Sequence, residues 1–200
     1  MDYMFAIYAM QGMHGLVYGM LLFLVASGWT LVFGMMGILN LAHAAFYMLG
    51  AYFAYTATQY LGNFWLSFIV APLAVGTVGM IVERFILRKA HALGHVHELL
   101  LTLGLFFMFV EIVRWVWGNN PLPVPVPSLL EGNIPFLGRT YPIYRLFILA
   151  FSTVILMGMA WIMAKTRIGI TIRASVSDGA MVDALGTNVP AVFLGVFGSG

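Results

Sequence analysis

From Tyr3 to Val82 the chain runs for eighty residues without one Asp, Glu, Lys or Arg. A membrane-spanning helix needs about 20 mostly apolar residues. The run is therefore too long for one crossing, and it must turn inside or at the edge of a bilayer. Composition agrees: 62% of the 200 residues are hydrophobic and 8% charged, where a soluble domain has roughly 45–50% and about 25%. One core cannot hide that much apolar surface, so the lipid bilayer must solvate it. A net charge of only +2 excludes a nucleic-acid binder, because phosphate recognition needs a basic face. The absence of cysteine excludes a disulfide framework. The N-terminus carries Asp2 and no Lys or Arg. The cationic start of a secretory signal is missing, and the first segment is read as part of the mature fold.

The fold class that follows is all-α: a polytopic transmembrane helix bundle with a broken helix near the N-terminus, forming one domain over residues 1–200. The breaks are marked by Gly and polar residues, around Gly34-Met-Met-Gly37-Ile-Leu-Asn40 and at Gln59-Tyr-Leu-Gly-Asn63. The expected spans are Ala6–Gly28, a second ending near Tyr60, Phe64–Val82, Leu99–Trp117 and Ile143–Ala164. Val189–Gly200 turns apolar again. At about 12 residues it is too short to cross, so the chain is expected to be a shortened form of a longer protein.

Orientation rests on Lys and Arg in short loops. Arg84, Arg88 and Lys89, then Lys165, Arg167 and Arg173, make six of the nine cations; Arg114, Arg139 and Arg145 flank the other side. The loops after the third and fifth spans then face the cytoplasm, and parity puts the N-terminus outside. The proline-rich stretch Asn119–Pro127 is held extended by alternate prolines. It serves either as a stiff outer docking surface or as a rigid cap over helix ends.

The break near the N-terminus is the most informative local feature. Gly28, Gly34 and Gly37 are followed by Asn40 and His43 with no charge to anchor them in water. Unwound backbone at membrane depth is tolerated only where protein or a wet cavity satisfies it, and broken helices often line transport sites. Asn40 and His43 are three apart and share a helix face. They either line a pathway, or Asn40 caps the second helix while His43 bonds a neighbouring carbonyl. Small residues at Gly12, Gly15 and Gly19, and at Gly76 and Gly79, suit close helix packing. Glu111 and Arg114 have the spacing of a self-neutralising pair. His91 and His95 have helical i, i+4 spacing with His97 nearby, but with no cysteine and only Glu98 beside them a basic loop is the better account than a metal site. Neither a P-loop, a Gly-x-Ser-x-Gly elbow nor a His-Glu-x-x-His motif occurs. Nothing argues for catalysis, a cofactor or a metal.

The stretch from Thr166 to Asn188 should hold a helix of about two turns outside the bilayer, with Ser177 or Asp178 as N-cap and Gly186 near its C-terminus. Ala180, Met181, Ala184 and Leu185 fall on one apolar face, with Asp183 opposite. Such a helix is marginal alone, and a partner groove suits it better than anionic lipid.

With these residues in hand, the chain resembles the LivH-type permease of high-affinity branched-chain amino acid ABC transporters. The stretch Gly28–Tyr52 carries the most specific match, resembling the family pattern of a hydrophobic segment, Asn, Ala-His, Met and Gly-Ala-Tyr. Val82-Glu-Arg84 with Arg88, Leu101-Thr-Leu-Gly-Leu105, and Thr166-Arg-Ile-Gly169 with the segment after it add to it. Ala44 stands where the family usually has Gly, Gly179-Ala180 replaces a charged pair, and the His-rich loop replaces an Arg/Pro-rich one. The Gly179 change weakens the coupling helix. The resemblance implies two permease subunits forming the pathway, two cytoplasmic ATPase subunits, and a periplasmic solute-binding protein, all at the bacterial inner membrane. It assigns Asn40, Leu41, Ala42 and His43 to the broken helix by the pathway. It assigns Arg173, Ala174, Asp178, Met181, Leu185 and Gly186 to a coupling loop at about 165–188. Relatives with much the same motifs move urea and other amide-like solutes, so the solute stays open; a stand-alone secondary carrier is the remaining reading.

Overall fold

The computed structural model describes residues 2–36, 40–91, 94–136 and 138–199. Nine α-helices and one hairpin occur among them: α1 (Asp2–Met36), α2 (His43–Leu61), α3 (Phe64–Val82), α4 (Arg88–His91), α5 (His95–Trp117), β1 (Asn133–Phe136), β2 (Arg139–Pro142), α6 (Ile143–Lys165), α7 (Arg167–Ser177), α8 (Gly179–Ala184) and α9 (Val189–Ser199). Four stretches are long and apolar enough to cross a membrane: Met4–Gly34, Phe64–Ala90, His95–Trp117 and Ile143–Lys165. At 19 residues α2 is about 28 Å long. Its four tyrosines, two threonines and Gln59 keep it out of that set.

The chain divides into two compact units. The first holds residues 1–27 and 125–169, the second residues 28–124 and 170–200. In the second unit, local chemistry sets the α2–α3 corner. Gly62 takes φ +62° and donates its amide to Thr58 O at 3.0 Å, ending α2. Asn63 Oδ1 then accepts from Trp65 N at 2.9 Å and starts α3. The core of this unit gathers Ala42 just before α2, Ala45, Phe46 and Leu49 of α2, Leu105, Phe109 and Val113 of α5, and Phe197 of α9. Phe46 sits 5.4 Å from the Phe109 ring and edge-on to Phe197 at 5.8 Å. Trp117 donates its indole N–H to Thr56 Oγ1 at 2.9 Å, closing α5 onto α2.

Apolar surface gains little by leaving lipid, so spanning helices hold together by close packing. Gly76 and Gly79 supply it: a Cβ built on Gly76 would lie 2.7 Å from Gly198 O, and one on Gly79 would lie 3.5 Å from the Phe197 ring. The Gly12, Gly15 and Gly19 stripe does not behave this way, since nothing lies within 4 Å of the corresponding positions. Beyond Val82 the helix widens into a π segment, Glu83–Leu87, before α4.

In the first unit, β1 and β2 pair antiparallel with Ile134 opposite Tyr141 and Pro135 opposite Thr140. Ile143 N donates to Gly132 O at 3.1 Å, fastening the hairpin to the start of α6. Sequence patterning misses this hairpin because its strands are four residues long and each contains a proline. Residues 118–127 form no regular element, and Pro127 is extended at φ −65°, ψ 146°.

Two further expectations change. The first helix does not stop near Gly28: α1 runs on through Gly28 to Met36, since an isolated glycine lowers helix stability without ending a helix. The chain between Thr166 and Ser177 is helical rather than a simple lead-in. Thr166 Oγ1 accepts from Gly169 N at 3.2 Å and caps the new helix, α7.

Candidate functional site

The expected pathway residues lie between α1 and α2, in the second unit. Gly37, Ile38 and Leu39 fall outside the described residues; Asn40–His43 are within them. Asn40 is only 5% exposed. Its Oδ1 accepts from Ala42 N at 3.0 Å, and its carbonyl accepts from His43 N at 3.2 Å. This Asx turn sets the chain into α2, because Ala42 O then accepts from Ala45 N and Phe46 N at 2.9 and 3.0 Å. The Asn40 side chain thus holds the turn that leads into α2, whose N-cap residue, Ala42, has no side-chain cap of its own. Its Nδ2 keeps two donors, and that atom is buried with no hydrogen-bond partner among the described residues. A buried amide N–H left unmet costs about 1–3 kcal/mol. Ala42 is fully buried, Leu41 and His43 half-buried. The His43 ring stacks on Trp29 of α1, centroids 6.4 Å apart and planes 19° apart. Trp29 was not singled out from the sequence; its position fourteen residues before His43 carries no periodic signal across a break.

The second expected segment folds largely as its capping residues dictate. Asp178 Oδ1 accepts from Met181 N at 2.9 Å, starting α8. Gly186, at φ +86°, donates to Asp183 O at 2.9 Å, and Thr187 N donates to Val182 O at 3.3 Å, closing the helix end. Met181 is 59% and Leu185 78% exposed. Arg173, Asp183 and Ala184 are exposed as well, whereas Ala174 and Val182 are half-buried. The Ala180 side chain lies outside the described residues. The open apolar face is therefore made by Met181, Ala184 and Leu185. Gly179 faces α9, where an added Cβ would meet Val189 at 3.8 Å.

Two carboxylates are more buried than expected. Glu83 is 4% exposed and opens the π segment, and Glu98 is 2% exposed in the first turn of α5. The signal for Glu98 was present. Glu98, Thr102, Leu105, Phe109 and Val113 fall on one helix face, and all five are buried. Glu83 carries no such signal, because the π turn shifts the phase of the residues after it.

Glu111 and Arg114 form their ion pair at 2.7 Å, with both side chains exposed. The His91–His95 spacing is not helical. His91 ends α4, His95 begins α5, and Gly94 at φ +101° lies between them. Among the described residues no group of three or more His, Cys, Asp or Glu could hold a metal.

An interrupted hydrophobic chain with four helices long and apolar enough to cross a membrane defines the class, a multi-pass membrane protein. The chain belongs to the family of branched-chain amino acid transport system permease components, whose pattern matches residues 13–200. It is similar to the high-affinity branched-chain amino acid transport permease BraD of Pseudomonas aeruginosa, 25% identical over 195 residues, covering 90% of this chain and 63% of that protein. It is similar to LivH of Escherichia coli K12, 24% identical over 206 residues, covering 96% and 66%. The probable LivH of Methanocaldococcus jannaschii is 26% identical over 184 residues, covering 87% and 56%. The chain thus spans less than two thirds of the length of these relatives. No solved structure matches. Family and apolar helices together place the chain in the inner (plasma) membrane as a multi-pass protein.

Proposed function

We propose that this chain is the core of a permease subunit of an ATP-driven importer for branched-chain amino acids. It forms one permease domain, pairs with a second permease subunit, couples to two cytoplasmic ATPase subunits, and receives solute from a periplasmic binding protein. ATP hydrolysis belongs to the ATPases. The observation that carries the reading is α8: a helix of six residues, capped at both ends by its own side chain and backbone, that leaves Met181 and Leu185 open. Apolar side chains on so short a helix gain by packing into a partner groove. Arg167 and Arg173 on α7 support a cytoplasmic position for the same segment. The break at Asn40–His43 then supplies the solute path, where the buried Asn40 amide offers two donors.

The test is a cysteine at position 181 cross-linked to the ATPase subunit co-expressed with the complete permease, together with uptake of labelled leucine. A cross-link and ATP-dependent uptake support the reading. No cross-link, with uptake insensitive to ATP depletion, overturns it in favour of a stand-alone carrier. Coupled uptake of urea in place of leucine redirects the solute to the amide class.

A further inference from the structure

We infer that His14, Arg145 and Tyr141 form a pH-sensitive clasp in the first unit, tying the start of α6 and its hairpin to α1. Arg145, the third residue of α6, donates from Nη1 to His14 Nδ1. A guanidinium carries N–H donors only and keeps its proton throughout the accessible pH range. The Nδ1 atom must therefore offer a lone pair, so the His14 imidazole in this contact is neutral, with its proton on Nε2.

The ring is held on a second side as well. It stacks on Tyr141, with centroids 5.1 Å apart and planes 22° apart. Tyr141 is 1% exposed, and its hydroxyl has no hydrogen-bond partner among the described residues. Tyr141 is itself fixed by its place in β2 opposite Ile134 and by the Phe136 ring 6.5 Å away. Among the described residues, Arg145 from α6 and Tyr141 from β2 are the charged and titratable groups that meet the imidazole.

The clasp lies at the start of the candidate span Ile143–Lys165. The apolar stretch Met4–Gly34 has 31 residues, about 46 Å of helix, against a hydrocarbon core of about 30 Å. Arg145 stands three residues inside the start of α6, which marks a bilayer edge. Protonating His14 turns Nδ1 from acceptor into donor. Two N–H groups and two positive charges then face each other, and the contact opens. Because the contact needs the neutral ring, it is kept while the imidazole is uncharged and is lost once falling pH puts a proton on Nδ1. The inference does not depend on which solute crosses the membrane.

The test is hydrogen exchange of the full chain in lipid nanodiscs, read over residues 133–149 and corrected for the intrinsic pH dependence of exchange. Between about pH 7.5 and about pH 4.5, a window reaching well below the ordinary histidine value, wild-type protection should fall roughly tenfold, the loss of one hydrogen bond to a charged group. His14→Gln keeps an acceptor for Arg145 but does not titrate, so its protection should be independent of pH. Arg145→Met removes the facing charge and should also abolish the pH step, at lower protection throughout. A wild-type chain without the step, or either variant retaining it, overturns the clasp.

Discussion

Gly76 should be the least replaceable small residue of α3. A methyl group there would sit 2.7 Å from Gly198 O, and the obstructing atom is backbone rather than the tip of a movable side chain. Carbon and oxygen need more than 3 Å, so α9 must move by about half an ångström or more. That movement reaches Phe197, which packs on Gly79 and edge-on against Phe46 at 5.8 Å. Overpacking of this kind costs about 1–3 kcal/mol. For a chain of this size that lowers the unfolding midpoint by roughly 4–8 °C at about 2 kcal/mol. The comparison is built into the same fold. At Gly79 the added carbon would make ordinary contact at 3.5 Å, and at Gly104 it would meet nothing within 4 Å. Gly104→Ala should gain up to about 1 kcal/mol from helix propensity alone. The assay is the thermal midpoint of each purified variant in one detergent, followed by fluorescence-detected size exclusion. The order Gly104→Ala, Gly79→Ala, Gly76→Ala from most to least stable is expected. A Gly76→Ala midpoint equal to or above that of Gly79→Ala would refute the close α3–α9 approach.

Other substitutions test the remaining elements. Asp178→Ala removes the acceptor for Met181 N and should cost α8 about 1 kcal/mol, while Asp178→Asn keeps it; solute-stimulated ATPase activity of the assembled complex should fall for the first and hold for the second. Gly169→Ala would bring a methyl group to 2.5 Å from Ile162 O and against Met163 O; the α6–α7 corner cannot absorb it, and the yield of folded chain should drop sharply. Trp117→Phe and Thr56→Val each delete the 2.9 Å bond between α5 and α2; a double-mutant cycle on thermal midpoints should return a coupling of about 1 kcal/mol. Asn40→Leu should reduce uptake more than the amount of folded complex, since a turn acceptor and two donors are lost together; equal loss of both would assign Asn40 to the fold alone.

What the sequence reveals follows from the range of the forces involved. Capping is local, so the Gly62–Asn63 corner and the Asp178–Gly186 helix can be read from a few residues. The interruption before Asn40 is legible for the same reason, as a cluster of glycines and one amide in an uncharged run. Burial depends on partners far along the chain. Glu83 and Glu98 read as loop-end charges by composition, yet both are turned inward. The two glycine stripes look alike as sequence, but only the one on α3 meets a neighbour among the described residues. The His14–Arg145 contact joins residues 131 positions apart and leaves no periodic trace. The α7 helix leaves little trace in the sequence because Thr166 caps it while its residues include Gly169 and a run of β-branched Ile and Thr, a composition with weak helical preference.

The π segment at Glu83–Leu87 has one more consequence. A π turn holds one residue more than an α turn spans, so it stores an inserted position inside a continuous helix. Each residue of an α-helix advances the azimuth by about 100°. Converting this turn to ordinary α geometry would swing Arg88 and Lys89 roughly a quarter to a third of the way round the axis, with no backbone bond broken beyond the one turn. The end of the third span thereby carries one spare residue, about 1.5 Å of rise and 100° of turn, so that a small axial slip there would rotate the cationic loop.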